Sequence, residues 1–192
     1  MVAAANPLAV KAGTDILKAG GSAVDAAVAI QAVLGLVEPQ SSGLGGGAFM
    51  VYYDAKTRQA TAYDGREVAP AGASDRLFLD KDGNRLPFVE AVLGGISTGV
   101  PGAVAMLDMA HRDHGKLPWS GLFDEARSLA TDGFTVSPRL AGMIASKAPQ
   151  ASAPDAKRYF TKADGTPYVA GDRLRNADYA QSLDRIARYG AS

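Results

Sequence analysis

Apolar positions along this chain recur mostly at helical spacing and alternate at strand spacing in one short stretch. Asn6-Pro7 sets a capping residue before a proline at the first helical position. Leu8, Ala12, Ile16 and Leu17 then share one face, and Lys18 followed by Gly20-Gly21 ends the segment. Ser22 with Asp25 spells a short capping box. From 23 to about 35 the chain is apolar nearly all round. This predicts a helix buried between layers, its alanines permitting close approach.

Residues 49–54 and 59–64 read as the two strands of a hairpin, with a turn at 55–58. The stretch 69–85 is less regular and holds a turn signal at Asp82-Gly83. Pro101 precedes a helix carrying Val104, Leu107 and Ala110 and ended by Gly115. Leu122, Ala126 and Leu129 mark another, stopped at Gly133, and Ser137-Pro138 opens a third with Leu140 and Ile144 inward. The stretch 148–172 is rich in Pro, Gly, Lys and Asp and reads as mostly loop. Asn176 caps a last helix bearing Leu183 and Ile186, stopped by Gly190. The fold class is α/β in the broad sense (α+β), helix-rich with a few strands. Two strands are too few for an independent sheet, and their open edges need further chain to complete them. That points to a fragment or one subunit.

Length and charge narrow the field. The 192 residues suffice for one domain with one sizeable core, and 47% hydrophobic residues is an ordinary globular value. Twenty Lys+Arg balance twenty Asp+Glu, so neither a nucleic-acid surface nor a basic membrane patch is indicated. The absence of cysteine excludes disulfides and thiolate metal sites and fits an oxidising or a reducing compartment. The longest apolar run, 26–37, is broken by Gln31 and Gly35 and falls short of the roughly 18 residues of a membrane span. The first five residues lack the basic start of a secretory signal.

Few residues carry chemistry. Gly43-Leu44-Gly45-Gly46-Gly47-Ala48 matches the spelling of a dinucleotide loop. Here, however, a helix precedes it and a strand follows, the reverse of the nucleotide-binding order. The bland reading is a tight turn in which glycine permits positive φ and close backbone approach. Arg66, in Asp64-Gly65-Arg66-Glu67, has two readings. A planar guanidinium can grip a carboxylate with two parallel bonds, or Arg66 and Glu67 can form a surface ion pair of little energetic worth. The residues alone leave both open. His111 and His114 share a helix face without a third ligand nearby, and read as exposed helix-end histidines. Asp124-Glu125 and Lys81-Asp82 read as solvated charges, and Trp119 after Pro118 as a packing anchor. No nucleophile elbow is present. Thr98 lacks the free α-amine that a terminal nucleophile uses as base.

Several segments together resemble the front part of the large subunit of γ-glutamyltranspeptidases, which are N-terminal-nucleophile hydrolases. They are Gly20 to Ala27, Glu38-Pro39, Ser41 to Phe49, Asp64-Gly65-Arg66-Glu67-Val68-Ala69-Pro70, Gly99 to Gly102, His114 to Trp119 and Asp132 to Ser137, with weaker likeness from Gly171 to Gly190. The likeness is thin over 73–94 and 148–170. Ser22 stands where Asn is usual and Ala48 where another glycine is common.

The resemblance implies that residues 1–192 are a single incomplete domain, part of a four-layer αββα sandwich. In that family the arginine of this pattern grips the substrate's α-carboxylate, which assigns substrate binding to Arg66 and makes Glu67 the partner holding its guanidinium. Ser97 to Gly102 corresponds to a structural turn. The nucleophilic threonine would lie outside the chain, at the start of a small subunit cut from the same precursor. The reaction implied is γ-glutamyl transfer or hydrolysis of glutathione and related compounds, without metal or cofactor. Cephalosporin acylases and other amidohydrolases share the scaffold, and an inactive large-subunit module that only assembles with a partner is a further alternative. Residues 1–5 resemble the start of the mature family domain. An upstream signal would make the protein periplasmic or secreted, and its absence cytoplasmic.

Overall fold

A computed structural model describes residues 1–146 and 148–191. In chain order the elements are α1 (Pro7–Lys18), α2 (Ala23–Val37), β1 (Ala48–Asp54), β2 (Gln59–Gly65), α3 (Phe88–Leu93), α4 (Ala103–His114), α5 (Asp124–Asp132), β3 (Phe134–Thr135), α6 (Pro138–Ile144), α7 (Pro154–Tyr159), β4 (Arg173–Leu174) and α8 (Ala177–Tyr189). Short 3-10 turns run over Trp119–Phe123 and Pro149–Ser152. Among the described residues no helix is long and apolar enough to cross a membrane. The chain forms two compact units: residues 1–67, 101–135 and 173–192, and residues 68–100 and 136–172.

The first unit is built around α2. Its Ser22 hydroxyl accepts the Asp25 N–H while the Asp25 carboxylate accepts the Ser22 N–H, so the capping box closes as the sequence predicts. Ten of its fifteen residues are buried, which an amphipathic surface helix could not sustain. The helix extends to Val37, one half-turn past the expected end at Gly35, because Leu36 and Val37 are themselves buried. α1, α4, α5 and the Trp119–Phe123 turn pack around it, and the Tyr179 hydroxyl of α8 donates to the Ala32 carbonyl at 2.7 Å. Asn6 ties both ends of this layer together. Its side-chain oxygen caps α1 at the Leu8 N–H, and its amide donates to the buried Glu38 carboxylate just past α2. α1 buries Ala9, Ala12 and Gly13, while Leu8, Ile16 and Leu17 are only half-buried, so its contact face is turned slightly from the expected stripe.

Asp25 does more than cap. It is fully buried, and its carboxylate also accepts the N–H groups of Lys116 at 3.0 Å and Leu117 at 3.2 Å, with His111 Nε2 3.4 Å away. His111 Nε2 is 2.9 Å from the Leu117 carbonyl as well; facing two acceptors, that nitrogen carries the ring proton. The expectation of exposed histidines is therefore wrong. His111 is 16% exposed and edge-packed on Trp119, and His114 is half-buried and stacked on Tyr52 with ring centres 3.9 Å apart. Trp119 does anchor, through its indole N–H to the Ile186 carbonyl and its edge contact with Phe123. Asp25→Ala orphans three backbone N–H groups at about 1–3 kcal/mol each. A loss of roughly 3 kcal/mol or more, read by urea unfolding, is expected, with Asp25→Asn losing less because it keeps one acceptor oxygen.

β1 and β2 form the predicted antiparallel hairpin, in register from Ala48↔Gly65 to Asp54↔Gln59. One face places Met50, Tyr52 and Tyr63 toward α4, and the other leaves Phe49, Val51 and Tyr53 exposed. A second, two-residue ladder, β3 with β4, was not legible in the sequence. In the second unit, Val68 and Val100 exchange both backbone bonds, and Ser137 caps α6 at the Leu140 N–H. The stretch 148–172, expected as mostly loop, instead holds the Pro149–Ser152 turn, α7 and a tight hairpin closed at Thr161↔Pro167. A similar hairpin closes at Leu79↔Arg85 around the predicted Asp82-Gly83 turn.

Candidate substrate-binding site

Arg66 is the first residue past β2, and the local sequence fixes its backbone. The Asp64 carboxylate accepts the Arg66 N–H at 2.8 Å, an Asx turn that ends the strand. The last ladder pair is Ala48↔Gly65, so one step further along the two strands Gly47 comes opposite Arg66. The Gly46 carbonyl turns the other way and accepts the Gly102 and Ala103 N–H groups at 3.2 and 3.1 Å, covering the start of α4, which has no side-chain cap.

Close backbone approach completes the clamp. A Cβ on Gly102 would lie 2.5 Å from the Gly65 carbonyl oxygen and 3.1 Å from that of Arg66. A Cβ on Gly47 would lie 1.9 Å from Glu67 Oε2 and 2.8 Å from the Glu67 nitrogen. The glycine loop meets the expectation of a turn, at 44–45, and of close backbone approach, at Gly47, but not that of positive φ. None of Gly43, Gly45, Gly46 or Gly47 has positive φ, and a side chain at Gly43, Gly45 or Gly46 would meet nothing within 4 Å. Only Gly47 is required by contact.

The side chains above this clamp are open. The Arg66 side chain is 67% exposed, and its Nε stands 3.7 Å from Glu67 Oε2. At that separation and exposure the pair contributes little to stability and leaves the guanidinium fork facing solvent. Beneath the hairpin, burial pushes the Tyr63 phenol up to about 12, assisted by its hydrogen bond to Asp113 at 2.8 Å. Tyr63 therefore remains a neutral donor that fastens the strand leading to Arg66.

The structure brings Arg66 and Glu67 together with Gly47 and Gly102; Thr98 belongs to the second unit, in an exposed turn closed by its N–H on the Gly95 carbonyl. The sequence places Gly47 in a close-approach loop and Gly102 in a structural turn, but not their partners, because a missing side chain gives no periodic signal and its contacts are with residues distant in sequence. Among the described residues no group of three or more His, Asp or Glu could hold a metal ion.

The chain as a whole, a helix-rich α+β fold, matches known proteins along nearly its whole length. The model of the γ-glutamyltranspeptidase family matches residues 9–192. The chain is 43% identical over 190 residues to a glutathione hydrolase proenzyme of Bacillus subtilis (strain 168), covering 99% of this chain and 32% of that protein. It superposes on the crystal structure of Helicobacter pylori γ-glutamyltranspeptidase with a TM-score of 0.91 at 36% identity, covering 98% of this chain and 54% of that one. A cephalosporin acylase from Bacillus halodurans follows at TM-score 0.74 and 27% identity, with 95% and 34% covered. The chain belongs to the γ-glutamyltranspeptidase family, and its fold is that of these N-terminal-nucleophile hydrolases. It spans about a third of the length of the curated relatives it matches.

Proposed function

We propose that residues 1–192 form the front part of the large subunit of an enzyme that transfers or hydrolyses γ-glutamyl groups, and that Arg66 binds the α-carboxylate of the γ-glutamyl substrate. The observation that carries this reading is the Arg66 guanidinium itself, exposed at a strand end whose backbone is clamped on both sides. A carboxylate docking there gains two parallel charge-assisted bonds and is oriented by a rigid element. Orientation of that kind lowers the barrier of an acyl transfer by removing rotational freedom before the reaction. Glu67 holds the near side of the guanidinium and leaves the far side to substrate.

The nucleophile, in this reading, is a threonine of a small subunit from the same precursor, its own α-amine serving as base. Attack of its hydroxyl on the γ-amide breaks the C–N bond, the amine leaves with the proton that the base took from the hydroxyl, and the acyl-enzyme is then resolved by water or an amino acid, with no cofactor. The uncovered hairpin face of Phe49, Val51 and Tyr53 supports the need for further chain. The likeness to a cephalosporin acylase keeps a second substrate class in view, with the same Arg66 receiving a different carboxylate.

Residues 1–192 expressed alone are expected to show no turnover of a chromogenic γ-glutamyl anilide, while the full-length protein turns it over and leaves cephalosporin amides untouched. Activity of the isolated chain that survives repurification sinks the two-subunit reading. A preference for cephalosporin amides would select the second substrate class.

A further inference from the structure

We infer that Gly47 is a positioning residue for the Arg66 site: the space left by its missing side chain houses the Glu67 carboxylate, and through Glu67 it sets where the guanidinium stands. The inference deepens the proposed reading of Arg66 and rests on it. Its basis is the set of distances around a Cβ placed on Gly47, 1.9 Å from Glu67 Oε2, 2.8 Å from the Glu67 nitrogen and 3.0 Å from the Gly65 carbonyl oxygen. Separations under 3 Å between such atoms lie inside van der Waals contact, so the smallest side chain must evict the carboxylate.

Eviction has two consequences. Glu67 Oε2 is the oxygen 3.7 Å from Arg66 Nε, so the charge steadying the inner edge of the guanidinium is displaced. Glu67 is also bonded in sequence to Arg66, whose carbonyl oxygen abuts Gly102, so pressure on the Glu67 backbone passes to Arg66. Gly43, Gly45 and Gly46 have open space where a side chain would go. The requirement for glycine in this loop is thus confined to the position opposite Arg66, although Gly47 has no side chain with which to touch substrate.

The test uses the full-length processed protein and two anilides, one with the γ-glutamyl α-carboxylate and one lacking it. Gly47→Ala is expected to lower kcat/KM on the first by about 10- to 100-fold, the loss that a misplacement near 1 Å can bring, mainly through KM. The second substrate should change by no more than about twofold. In an Arg66→Ala background, adding Gly47→Ala should change neither substrate beyond that margin, because coupled residues do not add.

Equal losses on both substrates, or full additivity with Arg66→Ala, overturn the inference and leave the Arg66 reading intact. An Arg66→Ala variant that does not discriminate the two substrates overturns the Arg66 reading itself. If Gly47→Ala yields no processed protein, the double variant Gly47→Ala/Glu67→Asp, which withdraws the carboxylate from the occupied space, should restore it. Failure of that rescue shows that the defect does not run through the Glu67 carboxylate and also overturns the inference.

Discussion

Arg66→Ala in the full-length protein is expected to lower kcat/KM by about 30- to 5000-fold for substrates that carry the α-carboxylate. Removing one partner of a desolvated charge pair costs about 2–5 kcal/mol, and each 1.36 kcal/mol is about tenfold in rate. The position within that range depends on cover. In this chain the side chain is 67% exposed, and a pair that remains so hydrated loses near the lower limit. The upper limit requires that substrate and further chain exclude water around the fork. Arg66→Lys restores only part of the loss, since an ammonium cannot reproduce the two-pronged geometry. Analogues without the carboxylate should lose far less, and self-processing should be preserved because that cleavage does not use the substrate's carboxylate. The measurement is kcat/KM on matched substrates with processed enzyme. Equal losses on both would reassign Arg66 to support of the fold.

Val28→Asp is expected to abolish soluble expression or processing. Val28 has no exposed surface and lies mid-helix in α2, which is enclosed by neighbouring helices. An unpaired carboxylate there costs several kcal/mol, against a total stability of roughly 5–15 kcal/mol for a typical domain. Met109→Asp makes a matched control. Met109 is exposed on α4, and substitutions at such surfaces usually stay within about 0.5 kcal/mol. A normal melting temperature for Val28→Asp would place α2 at the surface and refute its role as the central layer.

The parts of this fold that were legible in the sequence are those encoded within a few residues. Asn6, Ser22, Ser137 and Asn176 each accept a backbone N–H two or three positions on, a bond whose partners are set by chain continuity alone. The all-apolar run of α2 announces its burial, because no face of it could profitably meet water. Alternation gives the hairpin, and Asp64-Gly65-Arg66-Glu67, within a longer likeness, picks out the one arginine with a chemical role to propose. Polar short helices such as α7 were missed because propensity and amphipathic pattern are weak over six residues.

Sequence by itself therefore determined the longer helices, the side-chain caps at Asn6, Ser22, Ser137 and Asn176, the hairpin and the family, but not the six-residue helices α3 and α7. The tertiary structure decided which distant segments meet. Lys116 and Leu117 give their N–H groups to Asp25 more than ninety residues away, and this draws the end of α4 onto α2 and buries His111 instead of exposing it. Gly47 must be glycine because Glu67, twenty positions later, is folded back over it. Neither fact has a local signature, since the energy of such contacts arises only once the chain has brought both partners to the same few ångströms.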